Sequence, residues 1–145
     1  MKLKLAEYLK NEIPITIAFG FQVVDASAAQ VLLHVPLSPN TNHKGTAFGG
    51  SLFSATTISA WGLVYNFVRS ENITGDIVLK SSTMEFLKPV EADFDSICKD
   101  PGAAAWEKLK LMHSKKSVGK IELKSQIISR AKICAEFTGI FVVKR

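Results

Sequence analysis

Between Phe48 and Val68 the chain carries Leu52, Phe53, Ile58, Trp61, Leu63, Val64, Tyr65 and Phe67, which, wound at about 3.6 residues per turn, cover nearly the whole circumference of one helix. A helix apolar on every side cannot lie on a surface and has to be surrounded. A bilayer would surround it. However, Ser51, Ser54, Thr56, Thr57, Ser59 and Asn66 are many polar groups for a span of about 20 residues, and no second span exists to pair with them. The expectation is a strongly curved sheet wrapped around the helix, with the short hydroxyl residues bonded back to their own backbone.

The remaining segments supply such a sheet. Leu3, Leu5, Tyr8 and Leu9 fall at near-helical spacing and Pro14 stops the pattern, predicting a surface helix over residues 2–12. Residues Ile17 to Val24 and Gln30 to Leu37, rich in β-branched and large apolar types, predict an antiparallel hairpin with its turn at Asp25 to Ala29. Beyond the long helix, DIVLKSSTMEFLKPV and DFDSICKD read as strands. A polar stretch from Pro101 to Lys115 holds Trp106, Leu109, Leu111 and Met112 among lysines, as in a short helix or surface excursion. GKIELKSQIISRAK and ICAEFTGIFVVKR, divided near Ala131, read as a last hairpin. At 145 residues and 47% hydrophobic content, one domain with a real core is expected.

The formal net charge of +5 favours anionic partners without choosing among nucleic acid, a phosphorylated cofactor and a membrane surface. The lysines are scattered, and no arginine-rich, aromatic-interleaved stripe occurs, which argues against nucleic acid. Cys98 and Cys134 form neither a disulfide framework nor a CxxC pair, and histidines are few, so no metal site, no cofactor and reduced thiols are expected. The N-terminal MKLKLAEYLKNEIP lacks the uninterrupted apolar region of a signal peptide, and a cytoplasmic location is expected.

The sequence NHKGTAFGGS leads directly into the long helix. Its glycines allow close backbone approach to a ligand, and a helix start offers unpaired amide hydrogens and the positive end of the dipole. A carbonyl oxygen gaining negative charge would be stabilised there. His43 is the titrating candidate for a base in this loop, because no acid occurs anywhere from Asn42 to Val68. His34 and His113 read as structural or solvated, and the helix serines lie in no GxSxG elbow.

Helix, two strands, one long helix, then four strands with an insertion: this order resembles the hot-dog fold, an α+β architecture in which an antiparallel sheet wraps one long central helix. Asn42, Gly45 and the Gly49-Gly50 pair resemble the N, G and GG positions of acyl-CoA thioesterases of the phenylacetate-pathway type, and Phe86, Lys88 and Pro89 resemble their aromatic-x-x-Pro strand end. More narrowly, GTAFGGSL followed by Ala60, Trp61 and Gly62 is similar to the thioesterase domain found alone or behind GNAT-type acetyltransferase domains. The resemblance implies hydrolysis of an acyl-CoA or acyl-carrier-protein thioester at a subunit interface, in a homodimer or dimer of dimers. It implies a catalytic set of Asn42, His43, Gly49, Gly50 and Thr57, with Thr46, Phe48, Ser51, Lys80 and Ser82 binding substrate. Thr57 stands where those enzymes carry an aspartate, and threonine can hold a water but cannot act as a base near neutral pH. That departure motivates a second expectation, a non-catalytic acyl-binding or regulatory module; a hot-dog dehydratase ranks last, because its usual histidine plus helix-borne acid pair is incomplete here too.

Overall fold

In the computed structural model, which describes residues 1–145, the chain runs α1 (Lys2–Glu12), α2 (Ile15–Phe19), β1 (Gln22–Ala26), β2 (Gln30–Val35), α3 (Gly49–Ser70), β3 (Asp76–Phe86), β4 (Phe94–Lys99), α4 (Ala103–Lys116), β5 (Val118–Ser129) and β6 (Lys132–Lys144). The strands form one antiparallel sheet in the order β1-β2-β4-β5-β6-β3, and its inner face curls around α3. This is the hot-dog arrangement.

One expected strand is partly a helix. Residues 17 to 19 belong to α2, because Pro14 caps its start, the Thr16 hydroxyl turns back to the carbonyls of Ile13 and Leu9, and Gly20 closes its end in the left-handed conformation (φ 69°). These local caps outweigh the β-branched composition of Ile15, Thr16 and Ile17. The segment beyond Pro101 is a full helix, with Trp106, Leu109 and His113 buried and the Trp106 ring stacked on Phe67 of α3 at 4.3 Å. No helix is long and apolar enough to cross a membrane.

The wrapped helix resolves its polar content in two ways. Ser54, Thr56 and Thr57 bond back to carbonyls of the preceding turn, those of Gly50, Leu52 and Phe53. Ser59 instead joins a buried hydroxyl cluster with the sheet: its Oγ lies 2.9 Å from Ser96 Oγ and 3.1 Å from Ser125 Oγ. Ser96 donates to the Ala55 carbonyl (3.0 Å) and Ser125 to that of Thr56 (3.0 Å). All three serines are buried, as are the apolar side chains of Phe94, Leu63, Ile127 and Phe137 on the same elements. Hydroxyls satisfied in so apolar a setting fix the depth and rotation of α3 against β4 and β5, which apolar contacts alone would leave less specified.

The sheet ends on one side at β3, whose 11 residues are all exposed or half-buried. Val78, Phe86 and the following Leu87 are exposed, and Phe48 lies exposed at the start of α3. A long, open edge flanked by large apolar side chains is a ready template for pairing with another strand.

Candidate active site at the start of the central helix

The loop before α3 is shaped by Asn42. Its Oδ1 accepts from the backbone N–H of Lys44 (2.8 Å) and Thr46 (3.2 Å), and its Nδ2 donates to Thr46 Oγ1 (2.9 Å). Together with the left-handed Gly45 (φ 79°) these bonds close a tight turn inside the loop. Ala47 N–H then donates to the Val90 carbonyl and Phe48 N–H to that of Asn40, at 2.9 and 2.7 Å, which delivers the chain to the helix in a fixed direction. Asn40 itself is an anchor that no sequence pattern singles out. It is buried, and its Nδ2 donates to the carbonyls of Phe19 and Pro36.

Phe48 is the N-cap and supplies no side-chain cap. Its carbonyl accepts from Ser51 N–H (2.9 Å) and Leu52 N–H (3.2 Å), whereas the N–H groups of Gly49 and Gly50 have no partner in the chain. Two adjacent free donors therefore stand at the positive end of a 22-residue helix. The two glycines differ in the room beside them. A Cβ at Gly49 would meet the Phe86 ring in ordinary contact at 3.5 Å, while one at Gly50 would overlap the exposed Phe48 ring, which would have to swing aside. The two aromatic rings thus flank the free amides from β3 and from the loop.

The remaining candidates lie in the loop, on α3 and on β3. His43 is exposed in the loop, and Thr46 is held by Asn42. Ser51 is buried in the first turn, while Thr57, two turns further, donates its hydroxyl hydrogen to the Phe53 carbonyl (2.8 Å) and keeps its lone pairs free. Along β3, Ser82 is paired with Gly139 on the inner face, in line with Met84, whose sulfur lies 3.7 Å from Thr56 Oγ1. Lys80 lies at a bulge in the strand, about 20 Å from Phe86 in extended chain. It stands beside Lys120, whose ammonium is shifted below its ordinary value first by the side-chain hydrogen bond with Lys80 and then by the Lys80 charge. Glu85, the carboxylate nearest to the loop on this strand, faces the other way, into a groove of about 990 Å³ on the outer face of the sheet. That groove carries both signs of charge, with Lys99, Lys120 and Lys124 against Glu122 and Glu136. None of residues 42–57 lines it.

The other histidines are committed to structure. His34 lies between Asp95 (2.8 Å) and Asp93 (3.8 Å) at the β2–β4 junction, and His113 Nε2 lies 2.9 Å from the Thr74 carbonyl oxygen. Both cysteines are buried and unpaired, and burial pushes the Cys98 thiol up to about 12, an effect that its side-chain hydrogen bond with Ser125 reduces.

The comparisons with known proteins agree on the architecture. The family described as "Putative thioesterase (yiiD_Cterm)" matches residues 2–145. A protein of unknown function from Chlorobaculum tepidum TLS is 28% identical, with a TM-score of 0.94 over 99% of this chain and 94% of that one. A structure described as a "putative thioesterase" from Shewanella oneidensis is 24% identical, with a TM-score of 0.84 over 99% and 97%. The PaaI protein of the E. coli phenylacetic acid degradation operon is similar in fold at 15% identity and a TM-score of 0.69, over 99% and 93%.

Proposed function

The chain belongs to the YiiD_C thioesterase family, and from that premise we propose that it hydrolyses acyl-CoA or acyl-carrier-protein thioesters in the cytoplasm, at a site centred on the Gly49 and Gly50 amides. The observation that carries this reading is the pair of N–H groups with no partner at an uncapped helix start. Water attacks the thioester carbonyl, the oxygen becomes an oxyanion held by the two amides and the helix dipole, and the C–S bond then breaks to release thiol and acid. Donors already fixed in direction stabilise the oxyanion without reorganising during the reaction, and no other feature of the site lowers the barrier as much.

His43 takes the proton from the attacking water, and Thr57, whose hydrogen is committed to Phe53, accepts a hydrogen bond from that water. Asn42 acts by holding the loop at the angle that aims the amides, since its side-chain atoms are bonded within the loop. Thr46, Phe48 and Ser51 form the walls nearest the thioester.

The site is completed by a second copy. Antiparallel pairing of β3 with itself, centred on Ser81 at the middle of the strand, would satisfy the open edge and cover Val78. It would also carry Lys80 of each copy to Ser82 of the other, so that the ammonium reaches the substrate side from the partner. A lysine there suits the phosphates of a phosphopantetheine carrier.

The test is turnover of the purified protein on acyl-CoA and acyl-carrier-protein substrates of graded chain length. Hydrolysis above buffer that falls with loss of the Gly49 N–H supports the proposal, and no turnover with any substrate overturns it. A second reading, an acyl-binding module without catalysis, is favoured by the absence of any carboxylate from residue 42 to 68. It predicts saturable binding of acyl-CoA with hydrolysis at the background rate.

A further inference from the structure

Between Ser38 and Gly50 only Asn40 and Ala47 are buried. The segment that leads to the free amides therefore takes its place from few contacts, and most of them pass through Asn40. Its Nδ2 donates to the carbonyls of Phe19 (2.9 Å), the last residue of α2, and Pro36 (2.8 Å), just beyond β2. Its backbone N–H donates to the Leu37 carbonyl (2.8 Å), and its own carbonyl accepts from the N–H of Phe48 (2.7 Å), the residue that caps α3. One buried residue thus ties α2, the end of β2 and the start of α3 together. The two glycine amides follow directly after the last of these bonds.

The surroundings of Asn40 are built for this set of bonds. Gly20 ends α2 in the left-handed conformation (φ 69°) and lies so close to Pro36 that a Cβ there would stand 3.3 Å from the proline ring. That approach brings the Phe19 and Pro36 carbonyls to a single donor. The Asn40 amide is held one way round, since turning it would aim Oδ1 at two carbonyl oxygens. Its Oδ1 is then left buried without a partner. An unpaired buried acceptor disfavours folding, so what asparagine contributes here is the grip of its two donor hydrogens. Asn42 shapes the turn inside the loop, whereas Asn40 fixes where the whole loop sits. Donors to an oxyanion depend on such placement, because a misplacement of about 1 Å can lower a rate about a hundredfold. We propose that Asn40 is a positioning residue that acts through Phe48 to aim the Gly49 and Gly50 N–H groups, a role that rests on those amides being the oxyanion donors.

Asn40→Asp keeps the shape of the side chain and replaces the two-donor nitrogen with oxygen. Asn40→Ser, which brings no charge into the interior, keeps the test decisive should the aspartate variant not fold. Leu109→Ala, a core truncation on α4, is the control, destabilised without touching the loop. Each is assayed well below its Tm, with kcat expressed per folded molecule. Either Asn40 variant should lower kcat by about tenfold to a hundredfold and leave KM within about threefold, the pattern of an interaction lost in the transition state. Leu109→Ala should keep kcat. Residual dipolar couplings of isotope-labelled protein, which report the direction of each N–H bond, should change at Gly49 and Gly50 in the Asn40 variants and stay the same from Ala55 to Val68. An undiminished kcat per folded molecule overturns the proposal, as does an equal loss in Leu109→Ala or unchanged couplings at the two glycines. The couplings need no turnover, so a chain without thioesterase activity would sink the hydrolytic reading while the aim of the amides was still decided.

Discussion

The ring of Phe86 lies 3.5 Å from where a Cβ on Gly49 would stand, so the last residue of the sheet's open edge is packed directly on the first residue of the central helix. Whatever pairs with that edge presses, through Phe86, on the two free amides. The open strand and the proposed oxyanion donors are for this reason neighbours in direct contact.

Removing one donor without disturbing the helix is possible at Gly49. Phe48 before it is extended (φ −64°, ψ 132°), as a residue preceding proline prefers, and proline is tolerated at the first helical position. Gly49→Pro should keep its Tm within a few degrees and lower kcat by about a hundredfold to a thousandfold. Steady-state kinetics beside a thermal melt check this. A full-rate variant would remove the amide from the reaction.

The edge strand gives a separate prediction. Val78 is 51% exposed on β3, and since pairing centred on Ser81 sets position 78 opposite Met84 of the other copy, a glutamate there would bury a charge at each end of the seam. Val78→Glu should shift the protein to monomers in analytical ultracentrifugation and abolish turnover together, with an unchanged circular dichroism spectrum. Activity in a clean monomer would confine the site to one chain.

Asn42→Ala deletes the bonds to Lys44 N–H, Thr46 N–H and Thr46 Oγ1. At about 1 kcal/mol for each net bond the upper cost is about 3 kcal/mol, reduced by water that reaches this half-buried loop. Asn42→Asp keeps both Oδ1 contacts and loses the donor to Thr46, so it should recover most of the stability and kcat. Urea denaturation and kinetics on the two variants separate a shaping role from direct contact with substrate, for which aspartate would repel the developing oxyanion and recover nothing.

Cys98 sets an alkaline limit. Its thiol is raised from 9.0 to about 12 by burial, against a smaller opposing effect of the Ser125 hydrogen bond. A raised acid binds its proton more tightly in the folded chain, so this contribution is intact below pH 9.0 and is lost as pH climbs from there toward about 12. The folding equilibrium constant should fall with pH in that window, by up to about tenfold per unit. Cys98→Ala should flatten the decline in denaturation curves measured from pH 8.5 upward, and native protein should resist thiol alkylation near pH 8.

Much of the fold was legible because its strongest signal is physical necessity: a helix apolar all round from Phe48 to Val68 demands a wrapping sheet, and alternating strands were available to make it. The paired glycines read as a helix start with free amides, and their N–H groups have no partner in the chain. Ile17 to Phe19 read as strand by composition and fold as helix, since the deciding interactions are the caps at Pro14 and Gly20. Asn40 was invisible, because nothing in SPNTN tells which asparagine turns inward; only the carbonyls of Phe19 and Pro36, brought close by the fold, select it. Likewise the inward facing of Ser82 and the outward facing of Glu85 depend on the bulge at Lys80, which shifts the register of β3 against β6.

The hydroxyls of Ser59, Ser96 and Ser125 lie about 15 Å down the helix from Gly49. They act as a dowel through helix and sheet, and a dowelled rod neither slides nor turns. On the proposed function, room for a long acyl group would then be opened by the flanks, the exposed Phe48 and Phe86 rings and the strand behind them, while the helix stays still.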